Sequence, residues 1–473
     1  MSAPDSTPPP PQADAERARV LEFQLDYLRA ELLHLTHERY RMEYSVSGAL
    51  YRFLRPIEAW IAARLPRRSA PAPEPTAVGF SDDLRPPALP TRRILVDVTG
   101  TVKRDAGTGI QRVVKEVVRA VYLRQCDGAG FDVPVVAVRC ENGRLLLAAD
   151  FINALAPGAA GSEEEIAVAP GDRFLMLSDS WNAFDVLAPA LAGVRRNGGE
   201  IVSCIFDLIP ELWPHACHEA TVPRYRAWLR RALLESDAFI AISRTVALEL
   251  GDYVETCRLP HRPGLKIGWF HCGADLHAPA THAPRPKIAA AVTGDAPVFL
   301  LVGTIEPRKG HRVALAAFER LWSEGVAARL VIVGRRGWFE EAIVAAIGGH
   351  AENGARLFWF DDVDDPELSF LYDRATALVF PSYAEGFGLP IVEAARRGLP
   401  TICSDIPVFR EVGRSGAIYF AVNDPDALAE TLRGFLSGSI TAAPEDVSDA
   451  SWAAAAARIV DVIAREDWLR RLP

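Results

Sequence analysis

Two carboxylates eight positions apart, Glu385 and Glu393, frame the run Pro381-Ser-Tyr-Ala-Glu-Gly-Phe-Gly-Leu-Pro-Ile-Val-Glu393. A carboxylate accepts hydrogen bonds from two adjacent hydroxyls, which is one way to read a ribose or a hexose. Between the two acids, Gly386 and Gly388 let backbone amides approach a ligand, with Phe387 and Leu389 beside them. The helix expected to begin near Pro390 turns a partly positive N-terminus toward the same place, where a phosphate would be stabilised. The chemistry-free alternative is a plain strand–loop–helix connection with a capping glycine.

A second run, Gly303-Thr-Ile-Glu-Pro-Arg-Lys-Gly310, directly follows the apolar stretch Val298–Val302. Arg308 and Lys309 put a cationic pair at a strand C-terminus, which suits the charge on a departing diphosphate, although a solvated basic turn has the same composition. Gly107-Thr-Gly109-Ile-Gln-Arg112 precedes a helical pattern from Gln111 to about Leu123. It is no dinucleotide fingerprint, because position 112 is Arg and no acid stands where a ribose would need it. A helix-capping turn is the competing reading. Cys204-Ile-Phe-Asp-Leu-Ile-Pro210 ends an apolar strand with Asp207. That carboxylate can meet a hydroxyl of a bound ligand or cap its own loop, and His215 and His218 are alternatives to it. Asp361-Asp-Val-Asp-Asp365 has the look of a metal-binding pair of acids. Pro366 and Glu367 follow directly, so these acids read better as a helix start complementing the dipole, and no metal is expected.

The elements that must hold these residues alternate. Strands are expected at Ile94–Val98, Arg173–Leu177, Ile201–Phe206 and Ala238–Ile242, with helices such as Pro223–Leu234 between them. A second series runs through Val298–Val302, Leu330–Val333, Arg356–Phe360 and Ala377–Phe380. Short apolar runs of this kind are buried parallel strands, and two successive series predict two doubly wound domains. The expected division is 93–282 for the first domain, 293–447 for the second and 448–473 for a C-terminal helix. Ala283–Thr293, rich in Pro, Ala and Thr, is expected to link the two domains.

The first 92 residues differ in kind. Five prolines among residues 1–11 predict disorder. Leu21, Leu25, Leu28, Leu32 and Leu35 form a heptad seam about two heptads long, which fits self-association or a single amphipathic helix docked on its own protein. Tyr51, Phe53, Leu54, Ile57, Trp60, Ile61 and Leu65 interleave with Arg52, Arg55, Arg64, Arg67 and Arg68. That pattern fits either an anionic membrane interface or packing on the catalytic body with solvated arginines. Six prolines over 69–91 predict a semi-rigid linker.

Whole-chain composition narrows the classes. The 473 residues are 49% hydrophobic and 24% charged, with mean hydropathy +0.06, which excludes a fibrous or wholly disordered chain. A net charge of −9 argues against a dedicated nucleic-acid binder, whose phosphate contacts need a basic face. No stretch approaches the ~18 apolar residues of a membrane span, and the acidic, Pro-rich start is unlike a signal peptide. The seven cysteines, at 126, 140, 204, 217, 257, 272 and 403, are scattered and lack any C-x-x-C. They read as buried free thiols in a reducing, cytoplasmic setting, with the inner membrane face as a peripheral option.

The two glycine-bearing runs resemble the family 4 retaining glycosyltransferases, which have the GT-B fold of two Rossmann-like domains facing a cleft. The resemblance covers about residues 93–470 and implies that 93–282 is the acceptor domain, 293–447 the nucleotide-sugar domain and 448–473 a helix crossing back to the first. It implies that Glu385 contacts the donor sugar, Glu393 holds the ribose, and the backbone of Gly386-Phe387-Gly388 lies against sugar and diphosphate. It gives Arg308 and Lys309 the departing diphosphate, although many relatives carry arginine after the first glycine, where this chain has Thr304 beside Gly303. Gly107 and Gly109 correspond to the first glycine-rich loop, near diphosphate and acceptor. Ser236-Asp-Ala-Phe-Ile-Ala-Ile-Ser243 is similar to the last strand of the first domain, with Ser243 at its mouth, and Cys272-Gly-Ala-Asp275 to the domain junction. The Asp-Leu-Ile-Pro and Glu-Pro-Arg-Lys segments resemble bacterial O-antigen or capsule mannosyltransferases, in which a histidine often precedes the aspartate; here it is Phe206. The implied function is transfer of a hexose, mannose from GDP-mannose, to a saccharide or lipid-linked acceptor, with no metal or other cofactor. Transfer of another sugar such as rhamnose, or an inactive scaffold in a polysaccharide assembly, are the alternatives.

Overall fold

A computed structural model describes residues 92–105, 107–275, 282–442 and 450–473. The leucine seam, the basic amphipathic stretch and the Pro-rich segment before residue 92 lie outside the described residues.

Two sheets account for all fourteen strands of the described residues. The first holds β1 (Arg93–Asp97), β2 (Val135–Glu141), β3 (Arg144–Leu147), β4 (Asp172–Met176), β5 (Glu200–Ile205), β6 (Ala238–Ala241), β7 (Lys266–Trp269) and β14 (Arg470–Arg471). Its spatial order is β14-β7-β6-β5-β4-β1-β2-β3, parallel throughout except for the β2–β3 and β7–β14 pairs. The second holds β8 (Val298–Val302), β9 (Arg329–Val333), β10 (Leu357–Phe360), β11 (Ala377–Phe380), β12 (Thr401–Ser404) and β13 (Ala417–Phe420), in the order β10-β9-β8-β11-β12-β13. All its pairings are parallel. These are the two doubly wound, Rossmann-like sheets expected from the alternating pattern.

The reason lies in which strands are apolar on both faces. Ile94, Leu95 and Val96 are buried, as are Phe299, Leu300 and Leu301, because helices cover both sides of each sheet. Each fully buried side chain of this size contributes roughly 1.5–3 kcal/mol. Strand order then fixes where ligands can sit. In the second sheet, β8 and β11 are neighbours whose successors run outward in opposite directions, so a crevice opens at their C-terminal ends. Both glycine-bearing runs leave the sheet there.

The helix Trp452–Ala464 starts on a Ser451 hydroxyl that accepts from the Ala454 N–H (3.1 Å). It packs on the helix Gly109–Cys126 and on β7. Trp452 is buried and its N–H groups reach Asp275, at 3.2 Å to Oδ2 and 3.3 Å to the carbonyl. Beyond it, β14 adds an edge to the first sheet and Leu472 enters that sheet's core.

Three expectations change. Six strands (β2, β3, β7, β12, β13 and β14) were not anticipated; all but β13 contain charged residues, Ser or Thr that shorten the apolar run. The expected linker Ala283–Thr293 contains a helix, Pro286–Ala291, because a first-turn proline followed by Lys-Ile-Ala-Ala-Ala favours helix and Ile288 has a core to enter. All seven cysteines are free, but Cys126 and Cys257 are exposed, since both sit at the C-terminal ends of surface helices.

Candidate active site

The loop after β11 and the loop after β8 meet through ion pairs. Glu385 takes Lys309 Nζ on one oxygen at 2.6 Å and Arg308 Nη1 on the other at 2.7 Å. Arg308 also donates to the Ala384 carbonyl (3.1 Å) and, through Nη2, to Glu306 Oε1 (2.8 Å). Burial pushes the Glu385 carboxyl up, but the two cations outweigh burial and hold it below its ordinary range. Arg308 is likewise buried, yet Glu385, Glu306 and Asp207 raise its pKa above the ordinary arginine value. Gly303 lies under the aliphatic stem of Lys309, where a Cβ would meet Cδ at 3.3 Å; Thr304 continues the turn. The ion pairs are largely shielded from solvent, with side-chain exposures of 19% for Arg308, 13% for Lys309 and 8% for Glu385.

The first sheet closes on this loop from the other side. Ser243 donates its hydroxyl to the Gly386 carbonyl at 2.8 Å, and a Cβ on Gly386 would fall 2.0 Å from the Phe206 carbonyl oxygen. Only glycine permits that approach. Gly388 has φ +101° and starts the helix Leu389–Arg396, and Phe387 packs beside the His271 ring (5.4 Å). Glu411, from the helix Pro407–Gly413, accepts from the N–H groups of Arg244 and Thr245 (2.7 Å each) and from His271 Nε2 (2.6 Å). It thereby caps a first-sheet helix, Arg244–Thr256, from the second sheet. Asp207, at the end of β5, accepts from the Ile209 N–H (3.0 Å). Burial raises its pKa above the ordinary range, against the pull of Arg308.

Glu393 stands apart from that network. Its carboxylate is 2% exposed, paired with Arg112 Nη1 at 2.6 Å and accepting from the Tyr372 hydroxyl at 2.7 Å. So the two acids of the long run bracket one loop but sit in two ion-pair clusters, and the second is closed by a first-sheet arginine. Gly107 and Gly109 open the helix that carries Arg112. Cβ atoms there would lie 3.7 Å from the Arg335 guanidinium and 4.0 Å from Leu389 Cδ1, which places this loop against the second sheet's crevice. The helix start is also capped, the Thr108 N–H donating to Gln111 Oε1 at 3.1 Å.

Of the remaining candidates, His218 lines a cavity beside Arg308 and Asp207, and His215 packs on Trp213 (6.0 Å). Two of the acids of 361–365 are engaged elsewhere. Asp362 pairs with Arg285, and Asp364 caps the helix Asp365–Arg374 while bonding His282. Four residues of the site were missed: Arg112 and Tyr372 on Glu393, Glu306 on Arg308, and Trp338, which lines the same cavity. Arg112 was visible only as the residue that spoils a fingerprint. Glu306 stood within a quoted run; Trp338 had no signal.

Residues 287–451 match the family model described as glycosyl transferases group 1. The serotype-specific mannosyltransferase WbdA of Escherichia coli is 33% identical over 353 residues, 73% of this chain and 42% of that protein. The chain thus spans less than half the length of the WbdA proteins it matches. The O-antigen chain mannosyltransferase RfbU of Salmonella typhimurium is 36% identical over 126 residues, 27% of this chain and 35% of that one. The structure of Anabaena Alr3699/HepE with UDP and glucose aligns over 79% of this chain and 98% of that chain, at 14% identity and TM-score 0.47. With the second sheet, its crevice and both glycine-bearing runs inside the matched residues, this chain carries a glycosyl transferases group 1 domain.

Proposed function

We propose that the chain is a retaining hexosyltransferase that moves a sugar from a nucleotide diphosphate donor to a saccharide or lipid-linked saccharide in surface-polysaccharide synthesis. The observation that carries this reading is the self-neutralised set of Glu385, Arg308 and Lys309 at the second sheet's crevice. A donor exchanges every partner in it. Its diphosphate takes the two cations, and its sugar hydroxyls take the released Glu385 carboxylate. The anomeric carbon–phosphate oxygen bond breaks as the bond to the acceptor oxygen forms on the same face. Arg308, Lys309 and the N-terminus of the helix Leu389–Arg396 hold the departing charge, the electrostatic work a metal would otherwise do. Buried Asp207, its pKa raised, faces the acceptor side as the group that holds or receives the acceptor's proton. Glu393 takes the ribose once Arg112 yields it. The closed cleft keeps water from the donor.

GDP-mannose is the proposed donor, supported by relatives whose names say mannosyltransferase. Residues 13–68 are proposed to tether the enzyme to an anionic inner-membrane face or to another copy. Among the described residues no helix is long and apolar enough to cross a membrane.

Lys309→Ala is the cleanest test, because Arg308 remains to neutralise Glu385. Transfer measured by mass spectrometry over a nucleotide-sugar panel should fall at least about 100-fold, with the unfolding midpoint little changed. Near-normal turnover in both Lys309→Ala and Glu385→Ala would sink the site.

A further inference from the structure

Beside Arg308 lies a cavity of about 140 Å3, open to solvent. Its walls are aromatic, with Trp181 and Phe206 from the first sheet's side and Trp338 from the loop after β9. Trp181 is backed by Phe206 (6.2 Å), Tyr225 (5.8 Å) and Trp228 (5.8 Å), so it cannot collapse into the space. Trp338 is pinned by its indole N–H, which donates to the Ala216 carbonyl at 3.0 Å.

The polar groups are as telling. Glu306 is 3% exposed, with Oε1 on Arg308 and Oε2 buried without a hydrogen-bond partner. Asp207 commits Oδ1 to the Ile209 N–H. Arg308 is the one Lys or Arg among the lining residues and is already bonded to Glu306 and Glu385. His218 accepts the Ala220 N–H on Nδ1 (3.2 Å). The cavity therefore offers aromatic faces and carboxylate acceptors, and no uncommitted cation. A phosphate or carboxylate entering it would meet two acids with no positive partner, at an electrostatic cost that grows as the site dries. A neutral pyranose presents an apolar C–H face to the aromatics and hydroxyl donors to the acids.

We infer that this cavity is the subsite for the terminal sugar of the acceptor, that it takes a neutral, unphosphorylated pyranose, and that Glu306 and Trp338 determine that specificity. The inference rests on the transferase reading above. Donor binding strengthens the preference, because a diphosphate draws Arg308 away and leaves the cavity still more acidic.

Calorimetry on the full chain tests it, with GDP as the donor-site probe and, in its presence, a panel of neutral methyl glycosides and mannotriosides beside mannose 6-phosphate. Neutral saccharides should bind better than the phosphorylated sugar. Trp338→Leu and Glu306→Gln should each weaken neutral-saccharide binding about tenfold, while GDP affinity in Trp338→Leu stays within about twofold. Equal or tighter binding of the phosphorylated sugar would overturn the inference. So would unchanged saccharide affinity in both variants, or GDP binding with no neutral saccharide bound. Failure of the wild-type chain to bind GDP or any nucleotide sugar would instead remove the transferase reading itself.

Discussion

At the scale of single residues, Asp97 shows how far burial can move a group whose hydrogen bonds all favour its charge. It ends β1 fully buried, accepting from the Thr99 N–H (3.0 Å), the Thr99 hydroxyl and the Ser178 hydroxyl (3.1 Å). Desolvation still pushes its pKa up to about 6 from 3.8. In that window the folded chain keeps a proton the unfolded chain has released, so this group's contribution falls as pH rises from about 4 to 6. The loss is at most about 3 kcal/mol. Asp97→Asn should flatten that component; denaturant unfolding of wild type and variant at about pH 4.5 and about pH 7 measures the difference. That the loops carrying Lys309, Arg308 and Glu385 meet was legible in the sequence, because topology alone brings both to one crevice. Arg112 was not. Its partner Glu393 lies on the helix Leu389–Arg396, beside the other sheet, and no local pattern encodes a pairing across so long a stretch of chain.

Among elements, the loop carrying Gly386 is the most tightly constrained, because it must pass the end of β5 with no side chain between. Gly386→Ala places a methyl 2.0 Å from the Phe206 carbonyl, which forces the loop or the cleft to give. A cost of about 1–3 kcal/mol in thermal or denaturant unfolding is expected. A drop of about 100-fold in transfer kcat/KM should accompany it, since Glu385 moves with the loop. The helix Trp452–Ala464 is held differently, by filling a space. Trp452 is 1% exposed, and Trp452→Ala should lose about 3–5 kcal/mol in urea unfolding. Elements with continuous apolar runs were readable from sequence. Strand β12 was not, because its apolar pair Ile402-Cys403 is bounded by Thr401 and Ser404 and forms no run of its own.

For the whole molecule, charge is distributed more informatively than its sum. The net −9 coexists with five arginines over residues 52–68, so the sum conceals a locally basic segment, the one proposed to meet an anionic surface. Deleting residues 1–68 should abolish sedimentation with anionic liposomes or reduce the oligomeric mass, with donor binding by the remainder retained; an unchanged result in both assays counts against either role. The order of the first sheet has a consequence of another sort. Its edge strand β14 is encoded 201 residues after the end of β7, beyond the entire second sheet. At translation rates of about 5–20 residues per second, roughly 10–40 s separate the two strands as they leave the ribosome. Throughout that interval the nascent first sheet has an open edge at β7 and an unfilled groove where Trp452 will dock. The second sheet can fold meanwhile. Chaperone occupancy on ribosomes stalled before and after residue 470 should therefore fall once the late segment emerges.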